Sequence, residues 1–200
     1  MKIFIFIILL IVPIISEDFI IYKEPDNLKL RKILAADNKN EKLNQLSALY
    51  SANNNDQEFH YFLILEYIEQ NLMDSLYDNL TYIVKNKKSS LAFSSINGFF
   101  FLINQEYKLN SIYKHIKEFS NSLEPQYQPY YDFLKAVLLY KKNMNRAAYQ
   151  LIEQNEDFYL KNPLYSFFYL GGKIAYEAEN YHNAIRLLGK AYQINTGSGI

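Results

Sequence analysis

Helix breakers are nearly missing from this chain: it holds five prolines and six glycines among 200 residues. Few segments alternate apolar and polar residues in the manner of a strand. The apolar residues recur at a spacing of about 3.6, which lines them along one stripe of a helix. Half of the residues are hydrophobic, enough for a sizeable core. The pattern predicts ten helices, over residues 26–36, 40–52, 56–70, 72–86, 89–105, 107–122, 126–142, 144–160, 163–179 and 181–195, after an irregular entry at 17–25 closed by Pro25. Polar clusters at Asn38 to Asn40, Ala52 to Asp56, Asn86 to Ser90 and Asn143 to Asn145 separate them. The best-marked start is Asn162-Pro163, where an asparagine can cap and a proline at the first helical position loses no hydrogen bond. Linkers this short predict antiparallel hairpins.

The first residues read as an address and not as part of the fold. Met1 and Lys2 give a positive start, Ile3 to Ile15 is apolar except for Pro13, and Ser16 is followed by Glu17 and Asp18. That is the order of a secretory signal peptide, and the run is short for a membrane span, which takes about 20 apolar residues. We expect residues 1–16 to be a signal peptide cleaved after Ser16, with an uncleaved membrane tether or a buried N-terminal strand or helix as the alternatives. The exported part then lies in the periplasm of a bacterium, or in the secretory pathway or outside the cell in a eukaryote.

Charge and residue types exclude several classes of function. Basic and acidic residues balance at 21 each. A nucleic-acid surface or a polybasic membrane patch needs clustered positive charge, so neither is expected. With no cysteine, disulfides, zinc–thiolate sites, iron–sulfur clusters and thiol nucleophiles are impossible. His60, His115 and His182 are far apart and form no HExxH pair, so each reads as an ordinary helix residue and no metal or cofactor is expected. No phosphate-binding glycine loop and no G-x-S-x-G elbow occurs. Glu66 and Glu69 share a helix face and read as solvated, since a catalytic pair needs a pocket that separates the two pKa values. No enzymatic activity is expected. Asn79-Leu80-Thr81 matches the N-glycosylation acceptor but falls inside a predicted helix, where chance is the better reading.

An internal repeat organises residues 56–195, after an entry segment and hairpin at 17–55 and before a tail at 196–200. Its clearest unit, residues 165–195, resembles the tetratricopeptide repeat. Phe168, Gly172, Tyr181, Ala184, Leu188 and Ala191 occupy the motif positions, while Gly171 stands for the usual leucine, Ala175 for the second aromatic and Thr196 for the closing proline. Stepping back 37 residues from Ala184 reaches Ala147, with Tyr131, Leu134, Leu138, Met144 and Leu151 at the same offsets. Weaker copies hold Gly98, Phe101 and Tyr107, with Asn110 for the alanine, and then Phe59, Phe62, Leu72 and Ser75. The resemblance implies an all-α, right-handed superhelical array of antiparallel helix-turn-helix repeats, with a related helical array or an irregular helical domain as alternatives. Paired glycines inside a helix cost about 1 kcal/mol each relative to alanine. Gly171 and Gly172 therefore predict the close approach of a neighbouring helix.

Arrays of this kind bind along the face of the first helix of each hairpin. In the best unit that stripe is Tyr169, Lys173 and Tyr176; the same offsets one unit earlier give Asp132, Ala136 and Leu139. Rings and ammonium together suit an extended peptide or a partner helix. The function expected is an exported scaffold for protein or peptide partners, in envelope or secretory-pathway assembly. A small-molecule-binding or enzymatic helical domain and a self-assembling structural protein remain alternatives. After Ile194 the chain continues Asn-Thr-Gly-Ser-Gly-Ile without a polar capping helix, so the last pair is expected either to be covered by a partner or second copy or to tolerate exposure, with a modest tendency to self-associate.

Overall fold

The computed structural model describes Pro25 and residues 28–196. The signal-peptide reading of residues 1–16, the entry segment up to residue 24 and the tail beyond Thr196 lie outside the described residues. Among those described there are eleven α-helices and no strand. They are α1 (Leu28–Leu34), α2 (Lys39–Ala52), α3 (Gln57–Glu69), α4 (Met73–Lys85), α5 (Ala92–Asn104) and α6 (Leu109–Ser120), followed by α7 (Gln128–Lys141), α8 (Asn145–Gln154), α9 (Glu156–Lys161), α10 (Tyr165–Glu177) and α11 (Tyr181–Thr196); a 3-10 turn, Ser89–Leu91, leads into α5. None of the described helices is long and apolar enough to cross a membrane.

The described chain divides into two compact units, with the boundary between Tyr131 and Asp132 inside α7. In the first, each helix from α1 to α5 packs on the next, and α3 also packs on α5 and α4 on α6. Contact with the helix after next is what stacked hairpins produce, because each hairpin buries its apolar side only on its neighbours. α5 lies at the centre: Ala92 and every residue from Ser94 to Ile103 are buried. In the second unit α8 packs on α9 and α10, and α10 packs most extensively on α11.

Local chemistry starts and stops these helices. Asn38 accepts the amides of Asn40 and Glu41 at 3.0 and 3.1 Å. Asp56 accepts those of Glu58 and Phe59 at 2.9 and 3.0 Å. Each cap satisfies amides that a helix start leaves without partners, an effect of about 1 kcal/mol. The turns after α3, α5, α7 and α10 share one geometry. Asn71, Glu106, Asn143 and Glu179 take left-handed φ of 55, 54, 59 and 64°. In each, the next amide reaches back to a carbonyl in the last helical turn: Leu72 to Tyr67 at 2.8 Å, and Tyr107 to Leu102, Met144 to Leu139 and Asn180 to Ala175 at 2.9 Å. This is the Schellman closure, usually made by glycine.

The same closure also ends α4, where Lys87 has φ 50° and the Lys88 amide reaches Ile83 O at 3.1 Å. The other four turns stand 35, 37 and 36 residues apart, and the helix following each of those four repeats more strictly. Leu76, Ile112, Ala148 and Ala184 are spaced 36 apart, and all are 0% exposed. One turn on, Leu80, Ile116, Ile152 and Leu188 keep the same spacing and are all buried. The expected step of 37 is therefore one residue too long on these helices. Ala148, and not Ala147, is the buried alanine, while Ala147 is half-exposed. Ile112 and Leu76 likewise stand where Asn110 and Ser75 were aligned.

Three further expectations are corrected. The helix predicted over 144–160 breaks at Asn155 (φ −108°, ψ 12°), whose carboxamide donates to Leu151 O at 3.0 Å and to Asp132 Oδ2 at 3.4 Å. The break re-aims α9 so that Tyr159 enters the core against Phe133 and Phe167, with ring centroids 6.1 and 4.5 Å away. Asn162-Pro163 does not begin a helix. Asn162 closes α9 by donating to Phe158 O at 3.0 Å, and α10 starts at Tyr165; a residue before proline is driven towards extended backbone. Glu66 is not on a solvated face: it is 2% exposed, 3.5 Å from the Lys42 ammonium and 2.7 Å from Gln70 Nε2. Glu69 is exposed.

Candidate functional site

The packing of α10 on α11 determines which side of α10 remains accessible. A Cβ built on Gly172 would stand 2.6 Å from Leu188 Cγ and 3.1 Å from the Leu188 amide nitrogen. One on Gly171 would lie 3.3 Å from Ile152 Cγ2 and 3.6 Å from Leu187 Cδ1. The glycine pair thus lets α10 sit close to both α11 and α8. Phe168, Gly171, Gly172 and Ala175 are buried, as are Ala184, Leu188 and Ala191 across the hairpin. Tyr131 and Leu134 of α7 are buried too, whereas Tyr181 is half-buried at the hairpin turn.

What α10 leaves half-exposed is one stripe: Tyr165, Tyr169, Lys173 and Tyr176. Steps of three and four residues put these side chains above one another. The rings of Tyr165 and Tyr169 stack, 5.4 Å between centroids and 13° between planes. The Lys173 ammonium sits 5.1 Å from the Tyr169 ring centre, and Tyr176 meets the Tyr181 ring at 5.5 Å and 62°. The result is a column of two rings, an ammonium and a third ring, prearranged by its own contacts.

On α7 the half-exposed stripe is Asp132, Lys135 and Leu139. Ala136, expected in it, is fully buried. Lys135, one position earlier, is half-exposed in its place. Lys135 and Asp132 form an ion pair at 3.0 Å, and Asp132 also receives the Asn155 amide. This stripe is self-neutralised where the α10 stripe presents rings.

The sequence did not reveal three polar constellations. First, His60 is 0% exposed, with Nδ1 2.6 Å from Ser94 Oγ and Nε2 2.8 Å from Asn79 Oδ1, so it links α3, α4 and α5. Burial pushes its pKa down to about 4, with the Asn79 hydrogen bond opposing and Lys88 adding to the fall. Hydroxyl, imidazole and amide stand in the order of a nucleophile, a base and its orienting group. Ser94, however, is fully buried and its hydroxyl donates to Leu91 O at 3.0 Å, so it is engaged as a helix cross-link. The Asn79 side chain of the glycosylation triplet is held in this network, and Thr81 Oγ1 lies 3.3 Å from His115 Nε2.

Second, Arg186 makes a two-pronged pair with Glu156, one prong at 2.8 Å, and donates from Nε to Asn183 Oδ1 at 3.2 Å. Asn183 in turn donates to the Tyr149 hydroxyl at 2.5 Å, so α8, α9 and α11 are tied together. Third, Asp74, Tyr77, Tyr107 and Lys108 converge beside His115. Tyr107 and Lys108 hold the Asp74 carboxyl below the usual carboxylate range, Tyr107 through its hydrogen bond being the larger cause. Most of these partners lie 30 to 39 positions apart, about one repeat. Comparing residues one repeat apart is the signal that would have found them.

Two depressions line the hairpin turns of the second unit. One, of about 460 Å³, lies between Asn143 to Ala147 and Glu177 to Glu179; the other, of about 400 Å³, shares Asn143, Asn145 and Glu177 with it. Both are open to solvent. Among the described residues no three histidine, aspartate or glutamate side chains gather as metal ligands. Comparison with protein-family models, curated proteins and solved structures gives no match to this chain.

Proposed function

We propose that this chain is an exported scaffold that binds a protein or peptide segment along the Tyr165–Tyr169–Lys173–Tyr176 face of α10, in envelope or secretory-pathway assembly. The observation carrying this reading is the stacked column on a helix buried on all its other sides. Ordered aromatic rings offer large contact area at little further entropy cost, which is why tyrosine is enriched where partners dock. The recurrence of one turn geometry and one set of buried positions supports a repeat array, and within this proposal the hairpins stack as a right-handed, tetratricopeptide-like superhelix with α10 on its inner face. Export rests on the order of charge, apolar run and small residue in 1–16.

The test places a photo-crosslinking residue at Tyr169, at Tyr176 and, as control, at exposed His182 in the full chain expressed in its host. A protein joined at the first two positions and not at the third, and lost from capture by the Tyr169→Ala, Tyr176→Ala variant, is expected. Equal crosslinking at all three positions, or unchanged capture by a folded double variant, overturns the binding face. A mature N-terminus at Glu17 is expected from sequencing; retention of Met1 overturns cleavage.

A further inference from the structure

The turn between α5 and α6 carries a site independent of the α10 face. Lys108 takes a left-handed backbone (φ 46°, ψ 40°) at the start of α6. Its ammonium lies 4.3 Å from the ring centre of Tyr77, 4.7 Å from that of Tyr107 and 3.4 Å from Asp74 Oδ1. The two rings stand nearly edge to face, 5.9 Å apart at 68°, and form two walls of a corner. The Tyr107 hydroxyl donates to Asp74 Oδ1, and the Tyr77 hydroxyl lies 3.3 Å from His115 Nε2, so both walls are held in place. The corner is open: the side chains of Asp74 and Lys108 are 85% and 44% exposed.

Two π faces and a carboxylate around one point make a cation receptor, and here the receptor is filled by a lysine of its own chain. That occupant is a poor match. A primary ammonium is strongly hydrated and gains little from rings at an exposed site, whereas a quaternary ammonium, with little water to lose, is the cation that such corners favour. We propose that Asp74, Tyr77 and Tyr107 form a recognition site for a quaternary ammonium group, of a choline-type solute or of a phosphocholine lipid headgroup, with Lys108 as a tethered competitor that the ligand displaces.

The experiment follows the ring signals of the full chain by NMR during titration with choline chloride, using sodium chloride at matched ionic strength as the blank. Saturable shifts confined to the tyrosines of the corner are expected. Lys108→Ala, which empties it, should tighten binding about fivefold, and Tyr107→Ala or Asp74→Asn should weaken it by at least as much. Thermal melts of each variant establish that it is folded. Sedimentation with phosphatidylcholine vesicles, and with phosphatidylglycerol vesicles as control, separates the sources: vesicle binding competed by choline identifies the lipid headgroup, and binding of choline alone identifies the solute. Absence of saturable shifts in both the wild type and Lys108→Ala, or shifts unchanged by Tyr107→Ala in a folded variant, overturns the site and leaves Lys108 as a clasp of the turn.

Discussion

Adding one methyl group at each of three glycines of the α10–α11 hairpin separates helix propensity from close packing. Alanine is better than glycine inside a helix by about 1 kcal/mol, so propensity alone stabilises all three variants equally. The surroundings differ. At Gly189 a Cβ would meet nothing within 4 Å, so Gly189→Ala should keep that gain in full. At Gly171 the nearest atoms are side-chain ends at 3.3 and 3.6 Å, which can yield by a few tenths of an ångström; Gly171→Ala should be near neutral. At Gly172 the new carbon would lie 2.6 and 2.9 Å from Leu188 side-chain atoms and 3.1 Å from its backbone nitrogen. Turning Leu188 cannot relieve the last contact, so α11 itself must shift. Overpacking of that kind costs about 1–3 kcal/mol. Less the propensity gain, Gly172→Ala should be destabilised by about 1 kcal/mol and should lie about 2 kcal/mol below Gly189→Ala. Urea unfolding followed by far-UV circular dichroism measures these differences directly. If Gly172→Ala proves as stable as Gly189→Ala with the same denaturant slope, the helices are not in close approach and the account of the glycine pair is wrong.

The pH profile reports on His60. Its pKa falls from 6.5 unfolded to about 4 folded, so the stability it contributes is fully present above pH 6.5 and is lost as pH falls towards 4. A shift of this size corresponds to about 3 kcal/mol, and His60→Gln should flatten the profile in that window; an unchanged slope would show that His60 is not the buried group responsible. Removing the carboxylate in Glu66→Ala leaves Lys42 charged at a largely buried position and should cost about 3 kcal/mol, whereas the double change with Lys42→Met should recover most of it; purely additive losses would exclude their coupling. Breaking the Arg186–Glu156 pair, which is about one-quarter to one-third exposed, is a smaller matter. Arg186→Ala should cost about 1 kcal/mol and raise hydrogen exchange in α9, and protection in α9 equal to the wild type would rule out the tie.

The helices and most of their limits were legible from the residues alone, because a period of about 3.6, polar caps such as Asn38 and Asp56, and the scarcity of glycine and proline all act within a few residues of each other. Local spacing also showed that the Gly171-Gly172 pair needed a thin contact, and that Tyr169, Lys173 and Tyr176 share a stripe. Packing alone set which of the regularly spaced positions are buried. Ala147 and Ala148 are equal in propensity, and only packing distinguishes the buried one. It decided likewise that Asn155 interrupts a helix so that Tyr159 can reach Phe133 and Phe167, that Glu66 is buried against Lys42, and that Lys135 takes the place expected for Ala136. His60, Lys108 and Arg186 carry no local mark, since Ser94, Asp74 and Glu156 stand 34, 34 and 30 positions away along the chain. Such pairs are made by hairpins stacking, and the free energy that selects them belongs to the contact between hairpins and to neither segment alone.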